Sequence, residues 1–271
     1  MSENSAVNEV KKLKMRHLTL LTLFAGFVSS GHLLADDSNK GDYKSRWEAA
    51  LKILHTQPTQ WGEFENAARA LIKDFPTNSN GYCDMMILVE HYENSDRNKA
   101  VALANELAAE PTPKKFRLWA EGCLKRLDAA GKPVDLQFTA VDGRQVDVSR
   151  MRGEVVLVDF WATTCSPCVA ELPQIKTYYD KYHAQGFEVI GVSCDGEQQT
   201  DQKKLERFIK RKELPWPQYY DGKQQTDNKF AQKFGIDGIP HLFLIDKKGN
   251  LRFDNLHPKD LDKKISELLA E

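Results

Sequence analysis

The sequence predicts an α/β fold in its C-terminal half, a mixed sheet flanked by helices, preceded by a small all-α domain of helical hairpins. Three observations carry this reading. Residues 40–129 show apolar stripes at helical spacing. Gly131-Lys132-Pro133 then breaks the periodicity. From residue 134 onward, short runs rich in β-branched residues alternate with helical patterns, as when helices cover a sheet. The chain divides accordingly into a targeting segment over 1–35, a helical domain over 36–130 and an α/β domain over 131–271.

A length of 271 residues suits two domains, and 41% hydrophobic with 28% charged residues is the composition of a globular protein. A net charge of −1 gives no bulk electrostatic attraction to nucleic acid. Lys11, Lys12, Lys14 and Arg16 precede an apolar run over 18–28, and Ser29, Ser30, Gly31 and then Ala35 offer cleavage sites. This is the pattern of a cleaved secretory signal, which places the mature chain in the periplasm or the medium. The rival is a membrane anchor over 18–35. The apolar run is shorter than the ~20 residues a span needs, and His32 interrupts its extension.

In the helical domain, Trp47, Ala50, Leu51 and Leu54 form one stripe, and Phe64, Ala67, Ala68, Leu71 and Ile72 a second. Cys83, Met86, Leu88 and Tyr92 form a third; Val101, Leu103, Ala104 and Leu107 a fourth; Phe116, Trp119, Cys123 and Leu127 a fifth. Pro76-Thr77 and Pro111-Thr112 each follow an Ala-containing helix at a spacing close to a tetratricopeptide period, but two weak units fall short of a solenoid. The domain reads either as a structural appendage or as a partner-docking module.

In the α/β domain, residues 134–139 form a candidate strand, Asp142-Gly143 a turn, and Val146 and Val148 the return of a hairpin. Ser149 is a candidate cap for a short helical turn. Residues 155–158 are a buried strand running into Asp159, Phe160 and Trp161. Cys165-Ser166-Pro167-Cys168 then opens a helix carried by Val169, Leu172, Ile175, Tyr179 and Tyr182. Residues 187–193 are a second buried strand. Leu205, Phe208 and Ile209 share one face of a helix, and Phe230, Ala231 and Phe234 mark a shorter one. Residues 242–245 and 251–253 pair around Gly249-Asn250, and Leu261, Ile265, Leu268 and Leu269 form the last helix.

The centre of this pattern is the cysteine pair. A thiol in the first turn of a helix meets free N–H groups and the positive end of the macrodipole, so it ionises more easily. Cys165, at the solvent end, is placed to attack a disulfide; Cys168, a turn deeper, is placed to resolve the mixed disulfide. Pro167 fits a helix start, where a missing N–H costs nothing. The alternatives are a structural disulfide or half of a zinc site, and a zinc site needs ligands that no second C-x-x-C or His pair supplies.

The run Asp159-Phe160-Trp161-Ala162, Cys165-Ser166-Pro167-Cys168 and Pro173, with Gly238-Ile239-Pro240 before the strand 242–245, resembles a thioredoxin-fold active site. Gly191-Val192-Ser193 before Asp195, and Glu171 three residues after Cys168, narrow the resemblance to the TlpA/ResA-like branch of extracytoplasmic thiol–disulfide proteins. The match covers about residues 131–271. It implies a cis Pro240 against the cysteine pair and a substrate groove bordered by Trp161, Thr164, Ser166, Pro167, Ile239 and His241. Thr164 and His241 depart from the family's usual Trp and Thr. The resemblance also implies no cofactor, disulfide-containing protein partners, a membrane thiol–disulfide electron donor, and, for some relatives, cytochrome maturation.

Two carboxylates are candidates for moving the proton of Cys168. Asp159 ends an apolar strand, where burial raises a carboxyl pKa. Glu171 lies one helical turn from Cys168. The resemblance supports both, and the alternative for each is solvated or hydrogen-bonded surface. Cys83 and Cys123 read either as a disulfide between helices or as two core thiols. Cys194, at the end of the strand beside the central one, reads either as a neighbour of the active site or as a small core residue. The predicted activity is that of a thiol–disulfide oxidoreductase reducing partner disulfides through Cys165 and Cys168. Its alternatives are a disulfide oxidant of the same fold and a scaffold acting through its helical domain. A peroxidase fits a dithiol motif less well.

Overall fold

The computed structural model describes residues 40–56, 60–93, 95–256 and 258–271. The predicted targeting segment and the first residues of the predicted helical domain lie outside these, as does the side chain of Leu54. No helix among the described residues is long and apolar enough to cross a membrane. The chain divides into two compact units, one ending at Leu103 and the other beginning at Ala104.

The first unit is helical. Its helices are α1 (Lys40–Thr56), α2 (Trp61–Asp74) and α3 (Ser79–Glu93), and α4 (Arg97–Ala108) spans the division. Helix α2 buries Phe64, Ala68 and Leu71, one stripe at helical spacing. A β-carbon at position 81 would lie 2.9 Å from Ile72 Cγ1, so Gly81 permits the close approach of α3 to α2. The buried face of α3 runs through Tyr82, Met85, Leu88 and Val89, about one position away from the stripe the sequence suggests through Cys83 and Tyr92. Cys83 is therefore only half-buried, and it is a thiol, as is the buried Cys123.

The second unit opens its regular structure with α5 (Lys114–Ala129). The unit thus includes this helix as well as the α/β elements. The Gly131-Lys132-Pro133 stretch is also built in: Gly131 N–H donates to Leu251 O at 2.7 Å, and Val134 N–H to Gly249 O at 2.9 Å. The hairpin β1 (Gln137–Thr139) and β2 (Gln145–Asp147) follows, antiparallel. The short turn after it is capped by Asp147 rather than Ser149. Its carboxylate accepts both the N–H and the Oγ–H of Ser149, at 3.0 and 2.6 Å.

The sheet is mixed. Strands β3 (Val155–Trp161), β4 (Phe187–Ser193), β5 (Gln218–Tyr219), β6 (His241–Ile245) and β7 (Leu251–Phe253) lie in the order β5-β4-β3-β6-β7. The pairs β3–β4 and β4–β5 are parallel, β3–β6 and β6–β7 antiparallel. Helices α6 (Ser166–Tyr182), α7 (Gln202–Lys212), α8 (Lys229–Phe234) and α9 (Pro258–Ala270) complete the unit.

All seven residues of β3 are buried, because both faces of the central strand are covered. Its alternation divides the core in two. Val155, Leu157 and Trp161 pack with α6, α7 and α9 residues such as Leu172, Leu205 and Ile265. Val156, Val158 and Phe160 pack on the other face with Phe230, Phe234 and Phe243.

Candidate active site

The reactive pair lies where β3 gives way to α6. Cys165 is the N-cap residue of α6, in extended backbone, and its sulfur accepts the N–H of Cys168 at 3.3 Å. Pro167 occupies the first turn, where its missing N–H leaves no partner unsatisfied. The two sulfurs form a disulfide, with Cα atoms 5.3 Å apart. Cys165 is half-buried, whereas Cys168 is 2% exposed. A partner thus reaches only the first sulfur.

The Ile239–Pro240 peptide is cis, and Cys165 Sγ lies 3.8 Å from the Ile239 carbonyl oxygen. Thr164, Ser166 and Pro167 are exposed around the disulfide, and Ile239 and Pro240 are half-buried. These five residues form the accessible rim.

Two residues assigned to the groove from the sequence lie elsewhere. Trp161 is fully buried, because its strand position points it into the core under α6 and α7. Its indole N–H donates to Gln218 Oε1 at 2.9 Å, and its ring lies 5.5 Å from that of Phe208. Position 191 must be glycine for this contact, since a β-carbon there would overlap the Gln218 amide. His241 is 5% exposed and lies on the opposite face of the sheet, edge-on to Phe243 at 5.3 Å. Its register opposite Phe160 sends the side chain away from α6.

Asp159 follows the same alternation as Leu157 and Trp161, so it occupies the α6 side of the sheet, 2% exposed. Burial pushes its carboxyl well above the ordinary value, and the charge of Glu171 adds to this. Burial pushes Glu171 up as well, to about 7. The structure therefore brings both acids within electrostatic range of each other on the cysteine side of the sheet.

Cys194 is 4% exposed in the opposite core, where burial raises its pKa and the acids Asp221, Asp159 and Asp195 add to the rise. It is a small core residue, and its backbone N–H donates to Trp161 O at 2.7 Å.

Two buried polar clusters form contacts that the residue pattern does not announce, although it singles out Ser193, Asp195 and His241. Asp195, 2% exposed, accepts the N–H of Thr163 at 3.0 Å, the hydroxyl of Thr163 at 2.6 Å and that of Ser193 at 2.9 Å. It thereby holds the loop leading into Cys165. On the other face, His241 Nε2 meets Asp254 Oδ1 at 2.6 Å, and Arg126 Nε donates to Asp254 Oδ2 at 3.1 Å. Arg126 also donates to the Gly235 carbonyl oxygen, which ties α5 to the segment preceding Pro240. A β-carbon on Gly122 would lie 2.6 Å from that same oxygen, so the close approach requires glycine. Among the described residues, no group of three or more His, Cys, Asp or Glu side chains is arranged to hold a metal ion.

A family model described as Redoxin matches residues 127–270. The chain is 30% identical over 127 residues to the thiol-disulfide oxidoreductase ResA of Bacillus thuringiensis subsp. konkukian, covering 47% of this chain and 69% of the relative. It is 26% identical over 126 residues to sporulation thiol-disulfide oxidoreductase A of Bacillus subtilis, covering 46% of this chain and 73% of the relative. Among solved structures, the thioredoxin domain of a Bacteroides vulgatus thiol-disulfide oxidoreductase aligns with a TM-score of 0.45 at 27% identity, over 52% of this chain and 98% of that one. A thiol:disulfide interchange protein from Bacteroides sp. aligns with a TM-score of 0.44 at 28% identity, over 53% of this chain and 91% of that one.

Proposed function

Since the chain belongs to the Redoxin family, as a ResA-like, thioredoxin-fold thiol–disulfide oxidoreductase, we propose that it works as a reductant of disulfides in extracytoplasmic partner proteins. The observation that carries the exchange chemistry is the unequal exposure of the pair: Cys165 half-buried at a helix start, Cys168 buried behind it.

In the dithiol form, the Cys165 thiolate attacks one sulfur of the partner's disulfide. A mixed disulfide forms and the partner's other sulfur leaves as a thiolate, which takes up a proton. Cys168 then gives its proton to a carboxylate and attacks Cys165 Sγ. The Cys165–Cys168 disulfide forms and the second partner sulfur departs. Two electrons have passed to the partner, and a membrane thiol–disulfide carrier returns them to this chain. Asp159 and Glu171 serve Cys168: burial raises the pKa of both carboxyls, that of Glu171 to about 7, which makes each carboxylate a stronger base toward the thiol proton.

The same acids support the reducing direction. Negative charge on the neighbouring carboxylates works against the stabilisation that the helix start gives a thiolate, and Ser166 and Pro167 bring no cation to add to it. A dithiol whose thiolate form is less stabilised is the better electron donor. Pro240 and the rim of Thr164, Ser166, Pro167 and Ile239 form the surface against which the partner's disulfide lies.

The test is capture of partners on the Cys168→Ser variant in its native compartment. Mixed disulfides through Cys165 accumulate, and they vanish in Cys165→Ser/Cys168→Ser. Haem-attachment apoproteins among them indicate cytochrome maturation, and a diverse set indicates a general reductant. No thiol-sensitive adduct above the double variant overturns the exchange reading.

A further inference from the structure

Helix α7 concentrates positive charge in a chain whose net charge is −1. Its sequence QKKLERFIKRK holds six cations and one carboxylate. Leu205 is fully buried and Phe208 and Ile209 pack beside it, so the cations fall on the opposite, exposed face. Lys203, Arg207 and Lys210 follow one another at helical spacing, flanked by Lys204 and Arg211.

Local structure does not account for this face. Among the described residues, none of these cations forms an ion pair, whereas the nearby acids are engaged elsewhere. Glu206 accepts from Gln202 at 2.9 Å, Glu213 pairs with Lys176 at 3.2 Å, and Asp201 caps the helix through Lys204 N–H at 2.8 Å. The macrodipole favours Lys210, Arg211 and Lys212 in the last turn, but it opposes Lys203 and Lys204 in the first. Like charges at positions 203 and 207, and at 207 and 211, repel across one turn.

The face begins beside the reactive loop. Thr200, immediately before the cap, meets the Thr163 hydroxyl at 2.9 Å, and Thr163 lies two residues before Cys165. From there α7 extends about 16 Å.

We propose that the exposed basic face of α7 is a docking surface for a partner protein that carries carboxylates beside its exchanging disulfide. Charge complementarity selects such a partner, and the position of Thr200 sets it down next to Cys165. A membrane surface fits less well. An interfacial helix buries its apolar side in lipid, and here that side lies in the protein's own core.

The proposal rests on the exchange reading, and one experiment separates the two. Disulfide-cyclised peptides of a single sequence, flanked by glutamates, serines or lysines, are mixed with the reduced full-length protein and their reduction is timed. At low ionic strength the glutamate peptide reacts about tenfold faster than the lysine peptide, through steering. High salt closes the gap. In Lys203→Glu/Lys204→Glu/Arg207→Glu the order inverts while the serine peptide keeps its rate. In Lys203→Gln/Lys204→Gln/Arg207→Gln, which guards against a folding defect, the order is flattened. Equal rates for the three peptides, or an order that survives in both variants, overturn the proposal. So does equal reactivity accompanied by co-sedimentation with phosphatidylglycerol vesicles that the same substitutions abolish, which assigns the face to an anionic membrane. No reaction with the serine peptide overturns the exchange reading as well.

Discussion

The two faces of the sheet bury the same kinds of groups to opposite ends. On the α6 side, Asp159 is buried and its carboxyl is pushed well above the ordinary range. On the other side, Asp254 meets the same cost of burial, but His241 and Arg126 outweigh it and hold it below that range. The thiols differ likewise. Cys165 stands half-buried at a helix start, while Cys194 is sealed in an apolar core. Burial alone therefore does not decide the chemistry. The partners a group is given decide whether it stays charged and structural or remains free to exchange a proton.

The largest contrast is between the thiols. Cys165→Ser brings disulfide reduction to background, a loss on the order of a thousandfold or more, as expected when a nucleophile is removed. Cys194→Ser leaves the rate within about twofold, because it perturbs only packing. Both rates are read with a small neutral disulfide, and comparable losses in the two variants would break the contrast.

The carboxylates come next, and they differ in sign. Arg126→Leu leaves Asp254 with His241 alone and lowers stability by about 3 kcal/mol, read from the urea midpoint. Because the pKa of Asp254 is depressed in the fold, its contribution is present above the ordinary carboxylate value of 3.8 and is lost as pH falls through its folded value. Glu171 behaves inversely. Its pKa rises from 4.5 to about 7, so the folded chain holds its proton more tightly than the unfolded one. That stability is complete below about pH 4.5 and is lost as pH climbs through 7. Glu171→Gln thus gains on the unchanged protein between these values, by roughly 1–2 kcal/mol at alkaline pH once its partial exposure is allowed for. Asp159→Asn gains in the same direction. A gain that does not grow with pH would remove the raised pKa and, with it, the proton role.

The reactive half was legible because its signals are local. A β-branched run makes a strand buried on both faces, and two cysteines around Ser166-Pro167 mark a helix start within a few residues. The hairpin of β6 and β7 is announced by Gly249-Asn250 in the same way. What was not legible depends on distant partners. Strand β5 has two residues, too few for a period. Gln218 acquires its role only from the Trp161 indole, 57 residues away in sequence. The Arg126–Asp254 contact spans 128 residues, and Arg126 sits on an otherwise apolar helix face that suggests no ion pair. The family resemblance puts Trp161 and His241 at the groove, whereas strand alternation turns their side chains into the two cores.

The central claim is that the Cys165–Cys168 pair gives electrons rather than takes them. Equilibrating the purified protein with a dithiol–disulfide buffer and trapping the free thiols measures its reduction potential directly. The account predicts a value near that of thioredoxin, about −270 mV. A value near that of a strong oxidant, about −120 mV, would mean that the fold stabilises the Cys165 thiolate despite its acids, and would contradict the assignment as a reductant.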